Sequence, residues 1–150
     1  MKITKNDGDH CVLSCLESFL ADAGKPKSWQ KISKIWESKG CCRPGGVVHV
    51  DPRAFIDGCA LLGLNAQQVD FHYPIREEFR DGSLFILTLE PSCHCMRFYE
   101  YQSDTCNCNI LVMDPNWKKD ESVFEYHPIQ EDEITRYKPP WYFRVTLAAP

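Results

Sequence analysis

Nothing in this sequence is long, continuous and apolar. No hydrophobic run approaches the roughly 18–20 residues that cross a bilayer. The opening segment MKITKNDGDHCVLSC has no apolar stretch beside a basic end, so neither a membrane span nor an export signal is expected. Basic charge is scarce too: 17 Lys and Arg against 21 Asp and Glu give a formal net charge of −4. That balance lacks the positive stripe with which a nucleic-acid binder replaces phosphate counterions, so no nucleic-acid partner is expected. Eight glycines and ten prolines follow no period, which excludes a collagen-like repeat. A shortage of large apolar residues, the mark of a disordered chain, is missing as well: the sequence is 43% hydrophobic and 25% charged. No internal repeat or linker divides the chain. Its 150 residues are expected to form one domain, 1–150, able to hide about 68–70% of its unfolded surface.

What the sequence has in excess is cysteine. Nine stand at positions 11, 15, 41, 42, 59, 93, 95, 106 and 108, and an odd number leaves at least one thiol unpaired in a monomer. Disulfide-dense folds are mostly exported and short of core. A chain with a core and no visible signal is expected to keep its thiols largely reduced, in the cytoplasm, with secretion by a signal-less route left open.

Helices are expected first and strands after. Val12, Leu13, Leu16, Phe19 and Leu20 recur at helical spacing in a segment from Cys11 to Ala23, with Asp9 as N-cap and Gly24 as stop. A second helix is predicted from Trp29 to Ser38, capped by Ser28, with Trp29, Ile32, Ile35 and Trp36 inward and Gly40 at its end. A third begins at Asp51-Pro52, carries Phe55, Ile56, Cys59 and Leu62 inward, and stops at Gly63. The period then changes. A short strand is expected over Ala66 to Phe71, and a helical turn over Pro74 to Arg80. The run Leu84 to Leu89 suits a strand buried on both faces. Cys95 to Tyr101 and Asn109 to Met113 predict a hairpin around the polar turn 102–105, and Trp141 to Leu147 a final strand. The pattern is α+β, helices in the first half and an antiparallel sheet in the second.

Three residues stand where chemistry needs them. Cys11 opens the first helix, where unpaired backbone N–H groups and the positive end of the macrodipole favour a thiolate, although Asp7 and Asp9 oppose this. Taken alone, Cys11 also suits a small, semi-buried helix residue. Cys15, one turn inside, reads as packing. His94 opens a strand and Asp114 ends its hairpin partner, which suits a carboxylate that holds an imidazole facing a thiol. Taken singly, the two also read as a surface histidine and an Asp-Pro turn. A different chemistry is offered by the pairs Cys93-x-Cys95 and Cys106-x-Cys108. Alternate residues of a strand lie about 6.6–6.8 Å apart, wide for one zinc ion, and structural zinc sites prefer Cys-x₂₋₄-Cys. With a turn near Ser103, Cys106 is expected opposite Glu100 and Cys108 opposite Phe98. The aromatic tail, Tyr137 with Trp141, Tyr142 and Phe143, reads as core.

The segment His10-Cys11-Val12-Leu13-Ser14-Cys15-Leu16 resembles the nucleophile segment of the papain-like peptidases that process double-glycine leader peptides of bacteriocins, and of their stand-alone relatives. Gly63-Leu64-Asn65-Ala66 before a short strand, then an apolar strand, His94, a turn and Val112-Met113-Asp114-Pro115 follow the same order. The resemblance runs from about residue 6 to about residue 115. It implies a papain-like fold, a peptide or protein substrate and no cofactor. It also implies Cys11 as nucleophile, His94 as general base and acid, and Asp114 as the residue that orients the histidine. The family's oxyanion-donating Gln is Lys5 here, and the neighbouring Asn6 is the substitute donor. Val12-Leu13 replaces the usual Gly-Pro, and Cys95-Met96 follows His94. No ATP-binding or membrane part accompanies the segment, so a free-standing domain is expected. Asp7-Gly8-Asp9-His10-Cys11 is also close to the Asp-Gly-Asn-Cys signature of a related deubiquitinase class, one residue too long and without a His-aromatic-Asn segment near the carboxyl end. Hydrolysis, glutamine deamidation or transfer to an amine all use this set, as would an effector or toxin domain. A catalytically weak peptide-binding module and a zinc-binding interaction protein are the non-enzymatic alternatives.

Overall fold

The computed structural model describes residues 10–43, 52–70, 81–88, 94–104, 107–115, 123–126 and 141–150. The helices α1 (Cys11–Asp22) and α2 (Trp29–Ser38) end alike. In α1 the N–H of Gly24 donates to the Ala21 carbonyl (3.1 Å) and that of Lys25 to Leu20 (2.8 Å). In α2 Gly40 donates to Glu37 (3.1 Å) and Cys41 to Trp36 (2.9 Å). This paired closure needs a left-handed residue, which Gly24 (φ 73°) and Gly40 (φ 70°) supply without a Cβ clash. Ser28 caps α2, its side chain accepting the Lys31 N–H at 3.3 Å. At α1 the expected cap, Asp9, lies outside the described residues. The N-cap position falls on His10, whose side chain makes no capping bond.

α1 differs from the single buried stripe expected of it. Cys11, Val12, Leu13, Ser14, Cys15 and Leu16 are all buried, so its first turns are enclosed on every side. α3 (Pro52–Leu61) buries Phe55 and Cys59, with Ile56 and Leu62 partly buried against the same core. Its Gly58 lies against the Trp36 indole. A Cβ there would stand 2.5 Å from Cζ2 and 2.9 Å from Cδ2, so a glycine is what lets α2 and α3 approach this closely.

The strands β1 (Leu64–Gln68), β2 (Leu84–Thr88), β3 (His94–Asp104), β4 (Asn107–Met113), β5 (Val123–Tyr126) and β6 (Trp141–Leu147) form one antiparallel sheet in the order β1-β6-β2-β3-β4-β5. The strand latest in sequence thus sits between β1 and β2. β1 starts at Leu64, earlier than the expected Ala66, because Leu64 and Ala66 both turn into the core while pairing in register with Leu147 and Val145. The hairpin is longer than its polarity suggests. β3 continues through Gln102, Ser103 and Asp104, and β4 begins at Asn107, so the residues expected to turn at 102–104 are in the ladder. Polar residues can extend a ladder as well as break it. β5 was not expected from the sequence. The turn expected over Pro74 to Arg80 lies outside the described residues.

Both faces of β2 are covered, as its unbroken apolar run predicts. Phe85 and Leu87 join Cys95, Met113, Phe143 and Val145 in the core under the helices. Leu84 and Ile86 are buried on the other face, with Met96, Phe98, Val112 and Tyr142. Phe55 of α3 meets Phe143 at 4.5 Å and Phe85 at 6.0 Å between ring centres, which docks the helices on the sheet.

Candidate active site

Cys11, His94 and Asp114 are brought together from three elements: the first residue of α1, the first residue of β3, and the residue after β4. The β3–β4 pairing sets Arg97 opposite Met113, so the start of β3 and the end of β4 lie side by side. There His94 Nε2 meets Asp114 Oδ1 at 2.9 Å, with 18% and 14% of the two side chains exposed. The same imidazole is hydrogen-bonded to Cys11. Since Nε2 serves the carboxylate, Nδ1 is the nitrogen left for the thiol. Burial pushes the His94 pKa down. The Asp114 carboxylate and Cys11, each by a hydrogen bond and by its charge, outweigh this and raise it from 6.5 to about 9. The surroundings therefore favour a protonated ring beside the sulfur.

Three other described thiols are held toward the protonated form. Cys41 is pushed up by burial and by Asp57; Cys42 rises to about 11 through burial and Glu37. Cys59 is pushed up further still by complete enclosure, with Cys41 adding to it. Cys15 is enclosed and donates its S–H to the Cys95 carbonyl at 3.4 Å. All of these thiols are buried and form no disulfide.

Two buried polar residues, His10 and Arg97, carried no sequence expectation. His10, beside Cys11, is buried. Its ring stacks on Trp29 (3.8 Å between centres, 7° between planes) and its Nδ1 lies 2.9 Å from Ser14 Oγ. The Trp29 N–H in turn donates to Glu17 Oε2 at 2.6 Å. On β3, Arg97 is buried and donates to Gly82 O (3.0 Å), Ser18 Oγ (2.5 Å) and Asp22 Oδ2 (3.0 Å), its guanidinium 5.3 Å from the Phe19 ring centre. Burial lowers the Arg97 pKa, and Asp22 opposes the shift. The available cue was a charge inside an apolar strand, which demands a partner. Asn6 lies outside the described residues.

Of the paired thiols offered for zinc, Cys95 and Cys108 do not converge. Cys108 stands opposite Ser103, not Phe98, whereas Cys95 stands opposite Leu87. Cys95 and Ser103 lie along β3 roughly 26 Å apart at about 3.3 Å per residue. Cys93 and Cys106 lie outside the described residues. Among the described residues no group of three or more His, Cys, Asp or Glu side chains could hold a metal ion.

Helices stacked on an antiparallel sheet, with a helix-opening cysteine bonded to a strand-opening histidine, make an α+β fold of the papain-like cysteine peptidase type. The same fold occurs in the peptidase domain of Streptococcus ComA, a bi-functional ABC transporter involved in a quorum-sensing pathway. There the TM-score is 0.61 and the identity 13%, over 99% of this chain and 97% of that one. It also occurs in a double-glycine motif protease from an AMS/PCAT transporter, solved with its leader peptide (TM-score 0.62, identity 13%, 97% of this chain and 91% of that one). No family model matches the sequence, and no curated protein matches it. No helix among the described residues is long and apolar enough to cross a membrane.

Proposed function

We propose that residues 1–150 form one thiol-dependent acyl-transfer domain acting on an amide of a peptide or protein, with hydrolysis as its reaction. The observation that carries this reading is the 2.9 Å bond between His94 Nε2 and Asp114 Oδ1 on a ring that also bonds Cys11. Cys11 Sγ attacks the carbonyl carbon while His94 holds the thiol proton. As the C–N bond breaks, His94 gives that proton to the departing amine and a thioester remains. Water then attacks the thioester, His94 takes its proton, and the carboxylic acid leaves as Cys11 recovers its hydrogen. Asp114 keeps Nδ1 aimed at the sulfur throughout and stabilises the imidazolium. Asn6 is assigned to the developing oxyanion. A peptide substrate is supported by the fold shared with a protease solved with its leader peptide. Deamidation and transamidation differ only in the amine that leaves or the nucleophile that accepts, and this site chemistry serves them equally.

The test is iodoacetamide labelling of the native protein followed by peptide mapping. Cys11, beside the His94 imidazole, is expected to react faster than Cys41, Cys42 and Cys59, which are held protonated. Cys11→Ser abolishes the fast labelling, and His94→Ala slows it about tenfold or more by removing the proton acceptor. Labelling of Cys11 at the rate of the buried thiols, or a rate indifferent to His94, overturns the proposal.

A further inference from the structure

The residue before the nucleophile breaks a local rule. A helix N-cap favours Ser, Thr, Asp or Asn, whose short side chains accept a first-turn N–H. Here it is His10, and its side chain makes no such bond although its carbonyl starts the helix by accepting the Ser14 N–H at 2.9 Å. The imidazole is committed elsewhere. One edge meets Ser14 Oγ at 2.9 Å, and one face lies nearly parallel on the Trp29 indole at 3.8 Å. Trp29 is itself tied back to α1, because its N–H donates to Glu17 Oε2 at 2.6 Å. The contacts close a loop: His10 to Ser14 on α1, His10 to Trp29 on α2, and Trp29 to Glu17 on α1. Only 3% of His10 is exposed, so water does not loosen the arrangement.

Resting on the reading of Cys11 as nucleophile, we infer that His10 is a positioning residue: its ring, clamped between Ser14 and Trp29, fixes the 10–11 peptide and so aims Cys11 Sγ at His94. Cys11 is one peptide bond from the clamped residue and stands in the first turn of the helix that the His10 carbonyl starts. A released His10 lets that turn rotate or fray, and a sulfur displaced by about 1 Å loses much of what geometry supplies.

A double-mutant cycle on the full chain tests this, reading the rate of Cys11 alkylation by iodoacetamide in the wild type, His10→Ala, His94→Ala and the double variant. Aiming at His94 predicts that His10→Ala slows alkylation about tenfold when His94 is present and by less than about twofold when it is absent. His10→Phe, which keeps a ring against the indole, restores most of the rate. If His10→Ala does not fold by circular dichroism, Ser14→Ala takes its place in the same cycle, with a slowing of about threefold expected only beside His94. Equal slowing in both backgrounds, or no slowing, overturns the positioning role while leaving Cys11 and His94 in theirs. If His94→Ala leaves the rate unchanged in an intact His10 protein, the acyl-transfer reading fails, and this one fails with it.

Discussion

His94 holds its proton more tightly in the folded protein than a free histidine does, and that difference is a pH-dependent stability. Its pKa is raised from 6.5 to about 9. The contribution is therefore present in full below about 6.5 and is lost as pH rises through about 9. The size is on the order of 3 kcal/mol, from roughly 1.4 kcal/mol per pKa unit. His94→Gln keeps a donor for Asp114 but carries no titrating charge. The stability difference between wild type and His94→Gln, from urea denaturation, is expected to favour the wild type near pH 6 and to shrink steadily above pH ~8. Groups remote from His94 contribute equally to both proteins and cancel in the difference. A difference that stays constant, or grows, would show that the proton is not shared with Asp114 and Cys11 as described. The members of this row were legible because each marks an element boundary: a helix start, a strand start and a strand end. His10 was not legible, since stacking on Trp29 depends on how α2 returns along α1, which no spacing rule encodes.

Between elements, one of the contacts that set α1 against β3 is Arg97. Its guanidinium is buried, while Asp22 is partly exposed. Taking the carboxylate away strands a cation in a low-dielectric site, whereas replacing the arginine with an apolar chain of similar length removes the charge altogether. Asp22→Ala is expected to destabilise the protein by about 3 kcal/mol and Arg97→Met by less, because only the first leaves an uncompensated buried charge. Urea denaturation of the two variants decides it, and the reverse order would mean that the bonds to Ser18 and Gly82 outweigh the ion pair. Helix ends were readable at this scale, since Gly24 and Gly40 supply the left-handed stop that each helix needs. The limits of β1, β3 and β4 were not. Strand ends depend on the partner's register, and the Ser103 to Cys108 pairing carries polar residues into the ladder.

At the scale of the molecule, the topology makes the site depend on a strand remote from it in sequence. β6 pairs with β1 through Leu64↔Leu147 to Gln68↔Phe143, and with β2 through Leu84↔Arg144 to Leu87↔Trp141. It also places Phe143 and Val145 in the core under the helices. That Trp141 to Leu147 is a strand was evident from its residues. Its place between β1 and β2 was not, because strand order is decided by which edges remain open once the rest of the sheet has formed. Deleting 141–150 removes a central strand, so both β1 and β2 lose a row of ladder bonds and Phe55 loses its nearest ring. Such a chain is expected to lose cooperative unfolding, and with it the distinction among thiols. Cys59, fully enclosed in the intact protein, should then take up iodoacetamide as readily as Cys11. Removing only Ala149 and Pro150, which are exposed and lie beyond the Ala148 N–H bond to Gly63 O at 2.9 Å, should leave Cys59 protected while Cys11 is labelled. If the longer deletion still labels Cys11 and spares Cys59, the sheet does not need its sixth strand, and the site is held by the helices and the β3–β4 hairpin instead.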